Sequence, residues 1–153
     1  MIVVSDTSPL TALLTVGHGD LLIKLFDDVF IPEAVRSELL RHHSRLPGWL
    51  RVAGIKDIAR VKEYAQSVDA GEAEAIELAR ELHADRLLID ERKGRKLAVR
   101  EGLPVIGLLG VVLLAKRRGL VPSARTVLQR LDDEAGMYLS AEIRDSALKS
   151  VGE

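Results

Sequence analysis

The 153 residues carry 22 Lys and Arg against 23 Asp and Glu, a formal net charge of −1, with 47% hydrophobic and 29% charged residues. This describes a soluble globular chain, long enough for one domain with a sizeable core, and excludes both a disordered polyelectrolyte and a protein drawn to nucleic acid by net charge alone. Without cysteine there are no disulfides or thiolate zinc sites, and 3% aromatics argue against a base-stacking platform.

In chain order, the β-branched run Ile2-Val3-Val4 reads as a buried strand, and Ser8-Pro9 as a helix N-cap followed by proline at the first helical position. Gly17-His18-Gly19 interrupts that helix, and Asp20 to Phe26 resumes it. Val29-Phe30-Ile31 is a short strand stopped by Pro32, with helix expected from Glu33 to His43. Leu50 to Ile55 is a weak strand, and Asp57 to Gln66 an amphipathic helix. Asp69-Ala70-Gly71-Glu72 matches a capping box and predicts helix from Ala70 to about His83. A strand over Arg86 to Ile89, a helix near Lys93 to Arg100 and a short strand at Pro104-Val105-Ile106 follow. The very apolar helix Leu108 to Arg118 comes next, then helices over Ser123 to Glu134 and Ser140 to Ser150. Strands alternating with helices predict a three-layer α/β/α architecture around a mainly parallel sheet. The longest apolar stretch, Leu103 to Ala115, is broken by Pro104, Gly107 and Gly110 and is too short for a span of about 20 residues. No charged and then apolar leader is visible, so a cytoplasmic protein without a membrane partner is expected.

The acids carry the functional signal. Asp6 ends the first strand and Asp90 ends the run Leu87-Leu88-Ile89, where ligands bind in open α/β sheets. Glu38 lies on or near the core face of its helix, and Glu72 and Glu74 lie in the first turn of theirs. Gathering such carboxylates is costly unless a cation compensates, and Mg²⁺ or Mn²⁺ bound by carboxylates and water is equipped for phosphodiester hydrolysis. Each residue also has a plain reading: Asp6 and Asp90 as caps of the helices that follow them, Glu38 as a surface acid, Glu72 as the N3 member of its capping box. His42-His43 reads as surface.

Several segments resemble the PIN-domain family in that family's order. Ser5-Asp6-Thr7-Ser8-Pro9-Leu10 is similar to its opening strand–turn–helix, and Ile31 to Leu39 to the segment bearing its second acid. Gly71 to Ala79 resembles the helix start bearing the third, Leu88-Ile89-Asp90-Glu91-Arg92 the strand end bearing the fourth, and Gly102 to Gly107 the next strand. The likeness covers roughly residues 1 to 120. It is nearest to a prokaryotic PIN-like subgroup with Gly-Glu-x-Glu-Ala and Asp-x-Arg-x-Gly-Arg. The family commonly has Asp where this chain has Glu72, for which Glu74 is the alternative, and often a Thr two residues before the fourth acid, where this chain has Leu88.

The resemblance implies a Mg²⁺- or Mn²⁺-dependent ribonuclease, often the VapC-like toxin of a toxin–antitoxin pair, with RNA as substrate, an antitoxin protein as partner and a homodimer as the assembly. Carried over by position, the catalytic acids are Asp6, Glu38, Glu72 and Asp90. Asp6 and Asp90 are expected to contact the metal directly or through one water, Glu72 to hold metal-bound water or a second cation, and Glu38 to orient the attacking water or complete the acidic ring. Ser8 or Thr7 is expected to hydrogen-bond Asp6, and repulsion between the acids to raise their pKa values. Ser8, Arg92, Lys93 and Arg95 are the substrate-contact candidates, because phosphate contacts position a nucleic acid without reading its sequence. The rival readings are a haloacid-dehalogenase-like phosphotransferase, whose second Asp would fall at Ser8, a receiver domain, and a PIN-like binding module with a degenerate pocket.

Overall fold

A computed structural model describes residues 1–153. Its strands are β1 (Ile2–Ser5), β2 (Asp28–Ile31), β3 (Leu50–Val52), β4 (Arg86–Leu88) and β5 (Val105–Ile106). Its helices are α1 (Thr7–Thr15), α2 (Asp20–Leu25), α3 (Glu33–Leu40), α4 (Ile58–Tyr64), α5 (Ala70–Glu81), α6 (Arg92–Arg100), α7 (Leu108–Arg117), α8 (Ala124–Ala135) and α9 (Ala141–Ser150).

The five strands form one sheet in the order β3-β2-β1-β4-β5, and every pair is parallel rather than mainly so. A parallel sheet is covered on both faces, and alternation along β1 and β4 assigns each side chain to a layer. Val3 and Leu88 join one core with residues of α1, α2, α3, α7 and α8. Val4, Leu87 and Ile89 join the other, with Ala73, Ile76 and Ala79 of α5 and Leu97 and Ala98 of α6. The result is a three-layer α/β/α fold. Each fully buried Leu or Ile contributes about 1.5–3 kcal/mol relative to exposure, and aliphatic residues do this work almost alone.

The strand order decides where a site can form. The chain steps outward from β1 through β2 to β3, then returns to the other side of β1 for β4 and β5. The connections therefore diverge between β1 and β4, and a crevice opens beyond the carboxyl ends of that pair.

The structure shifts several boundaries. Asp6, not Ser8, is the N-cap of α1, which places Pro9 at the third helical position. Its missing N–H costs nothing there, because the first turn has no intrahelical acceptor to satisfy. Helix α3 ends at Leu40 rather than at His43, and β3 stops at Val52. Helix α5 runs as expected from Ala70, with both halves of the capping box in place. Helix α7 is core on one face, through Leu108, Val111, Val112 and Ala115, and half-covered elsewhere. No helix is long and apolar enough to cross a membrane.

Candidate active site

Asp6 is the first residue beyond β1, and its amide donates to the Leu88 carbonyl across 2.9 Å. That hydrogen bond continues the β1–β4 ladder and fixes Asp6 beside the segment leading to Asp90. Asp6 is 4% exposed. Its position at the N-cap of α1 fits the capping role, yet its side chain makes no capping hydrogen bond. Burial pushes its pKa from 3.8 up to about 7; the Thr7 amide pulls it back in part, and the charges of Asp69, Glu38 and Asp90 push it further up. Repulsion between the acids is thus present as expected, but desolvation is the larger cause.

Glu72 stands 4% exposed at the start of α5. Asp69 Oδ1 accepts from the Glu72 amide at 2.8 Å, and Glu72 Oε1 accepts from the Asp69 amide at 3.5 Å. Capping therefore uses one carboxylate oxygen. The other, Oε2, is buried with no hydrogen-bond partner. Burial raises the Glu72 pKa from 4.5 to about 8, and neighbouring Asp69 and Asp6 add to the shift.

Glu38 reaches from α3 to the first turn of α5, where its Oε1 lies 2.6 Å from the point a β-carbon on Gly71 would occupy. Asp90 does not cap the helix after it, because Glu91 is the N-cap of α6. Its carboxylate instead accepts from the Leu108 amide at 3.0 and 3.3 Å, at the start of α7. Arg95 Nη1 lies 3.9 Å away. Burial raises the Asp90 pKa, while Leu108 and Arg95 oppose the rise. Glu74 is occupied elsewhere: it accepts from the Ala34 amide at 3.1 Å, in the first turn of α3.

The sequence did not single out Asp69 as more than a cap, yet its charge bears on both Asp6 and Glu72. The glycines of the site were also missed as structural elements. Gly71 makes room for the carboxylate of Glu38, Gly94 for that of Glu72 and Gly107 for that of Asp90. The signal available was that each stands at the start of a helix, with Gly71 directly before Glu72 and Gly94 four residues after Asp90.

The expected hydroxyl support for Asp6 is not formed. Thr7 Oγ1 is buried without a partner, and exposed Ser8 lines a small groove shared with Asp90, Leu108 and Met137 instead. Arg92 and Lys93 are exposed on the first turn of α6, next to the crevice, and Arg95 faces Asp90.

A family model described as a PIN domain matches residues 2–153. The chain belongs to the PIN-domain family. No curated protein matches it. PIN domains are generally nucleases that use divalent metal ions, and the residues of this PIN domain suit such an ion. Two carboxylates are held in a buried crevice with raised pKa values, and one oxygen of Glu72 has no partner from the chain. No three acidic side chains close on one point as they stand. Mg²⁺ needs no such trio, since it takes one or two carboxylates and keeps several waters.

Proposed function

We propose that this PIN domain is a Mg²⁺- or Mn²⁺-dependent endoribonuclease that hydrolyses RNA phosphodiester bonds. Asp6, Glu38, Glu72 and Asp90 are its catalytic acids, and Asp6, Glu72 and Asp90 hold the metal. The observation supporting this is the buried, unpartnered Glu72 Oε2, on a carboxylate near enough to buried Asp6 to feel its charge. When bound, the ion supplies Lewis-acid polarisation of the phosphoryl oxygen and a water of lowered pKa.

The chain's residues supply the rest. The Asp6 amide is anchored on the Leu88 carbonyl, which fixes where its side chain leaves the backbone. Asp69 locks one Glu72 oxygen through the capping box and leaves the other free. Glu38, half-buried at the rim, orients the attacking water. Arg92, Lys93 and Arg95 neutralise phosphates flanking the scissile bond. Toxin activity, an antitoxin partner docked on α8 and α9, a homodimer and a cytoplasmic location belong to the same proposal. Light scattering and co-purification with the product of an adjacent gene test the assembly.

The deciding assay is cleavage of labelled RNA with Mg²⁺ or Mn²⁺ by wild type, Asp6→Asn, Glu72→Gln and Asp90→Asn. Wild type cleaves and the three variants do not; full activity in any one removes that residue from the mechanism. One observation favours a second reading. Asp90 is already engaged by the Leu108 amide and Arg95, as an acid with a purely structural role would be. The chain would then be a binding module with a degenerate pocket, and Mn²⁺ calorimetry would register no binding.

A further inference from the structure

A second feature lies beside the carboxylates and has the opposite charge. Residues Gln66 and Ser67, in the loop before α5, and one face of α6 enclose a groove of about 350 Å³ lined by Lys93, Lys96, Leu97 and Arg100. Positions 93, 96 and 100 follow at three- and four-residue intervals and so share one helix face. None of these three cations pairs with a carboxylate, whereas Arg80, Arg95 and Arg130 each do. Like charges at this spacing disfavour a helix, so the row is kept against a local cost.

Both walls of the groove continue along the chain to residues that shape the acidic site. Ser67 lies two residues before Asp69, and Gly94, next to Lys93, packs against the Glu72 carboxylate. Lys93 to Arg100 spans about 10 Å along the helix axis, which suits successive charges of a polymer better than one small anion. The lining has no aromatic side chain, so a ligand here is recognised by charge and not by base stacking.

We infer that Lys93, Lys96 and Arg100, with Gln66 and Ser67, form a track for the backbone phosphates of single-stranded RNA leading away from the carboxylate crevice. This rests on the ribonuclease reading and adds Lys96, Arg100 and the 66–67 loop to its substrate contacts. The track is sequence-tolerant, since phosphate contacts carry no base information.

The test is fluorescence anisotropy of a labelled single-stranded RNA oligonucleotide, in EDTA, titrated across about 50 to 200 mM KCl. Wild type is compared with K96Q/R100Q, the two cations that the track adds to the substrate contacts. Each lost contact to a single strand lowers the slope of log affinity against log salt by about 0.7, so the double variant loses about 1.4 from the slope. Its affinity at the low-salt end falls several-fold, while its Tm stays level or rises because like-charge repulsion is relieved. In the cleavage assay KM rises and kcat holds. Equal affinity and slope for the two proteins overturn the track, as does a fall in kcat at constant KM. Inorganic phosphate displacing the RNA from wild type at equimolar concentration also overturns it, marking a small-anion site. The two proposals fail separately: a wild type that binds with the full slope but never cleaves removes the nuclease and leaves the track, and one that cleaves with an unchanged slope in the variant does the reverse.

Discussion

The carboxylate of Glu72 rests against the bare α-carbon of Gly94, in space that a β-carbon there would fill together with the Ile89 side chain. Two helix starts, those of α5 and α6, can therefore approach closely enough to put Glu72 beside the segment after β4. Gly94→Ala should move Glu72 or Ile89 and cost about 1–3 kcal/mol, the usual range for overpacking. Urea denaturation measures the loss, and cleavage should fall with it. A variant as stable and as active as wild type would show that the contact is slack.

The two candidates for the third acid separate by what they touch. Glu74 accepts the Ala34 amide and serves α3, while Glu72 has a free oxygen in the crevice. Glu74→Ala should lose about 0.5–1.5 kcal/mol, the worth of one hydrogen bond, and keep its cleavage rate. Glu72→Gln should fold and lose cleavage on the order of 10²-fold or more. The reverse pattern, read from kcat of both variants, would make Glu74 the working acid.

Raised carboxylate pKa values make a stability prediction. Asp6 titrates near 3.8 when unfolded and about 7 when folded, and Glu72 near 4.5 and about 8. On these two groups the folded state holds more protons across that window, so their contribution to stability is full below it, declines as pH rises through it and is lost above about pH 8. For Asp6 the displacement corresponds to a few kcal/mol, about 1.4 per unit. Thermal melts in EDTA should show Tm falling over this range, with a flatter profile for Asp6→Asn. Mg²⁺ should restore more at pH 8 than at pH 5, since it binds the ionised carboxylates. A Tm that climbs with pH in EDTA would contradict the buried-acid reading.

Asp90 has a structural duty beside the metal-ligand role proposed for it. Asp90→Asn keeps an oxygen acceptor for the Leu108 amide and should fold with near wild-type stability. Asp90→Ala leaves the first amide of α7 without its acceptor and should cost about 1 kcal/mol. Chemical denaturation of both variants reads the difference directly. Equal stability would mean water satisfies that amide as well as the carboxylate does.

Local chemistry made much of this fold legible. Apart from β3, each strand is a short β-branched or leucine-rich run closed by Asp, Pro or Gly, and the Asp69–Glu72 capping box marks the start of α5 as the structure has it. Where the reading slipped, a local rule met a tertiary one. Ser8-Pro9 is a good helix start by propensity, but the backbone turns as soon as β1 makes its last ladder bond to Leu88, so the helix begins two residues sooner. The residues 41–43 continue a helical composition, yet the regular helix ends at Leu40.

The amino-acid sequence by itself determined the alternation of strands and helices, the aliphatic core and the set of acids, because periodicity, capping and turn chemistry act between near neighbours in the chain. Only the tertiary structure decided which partners those acids have. Glu72 and Glu74 are two residues apart on one helix and identical in chemistry. Packing alone sends one against α3 and leaves the other with an unpartnered oxygen buried against Gly94 of α6. Burial, which sets both the raised pKa values and the demand for a compensating cation, is a property of residues distant in sequence and brought together by the sheet order.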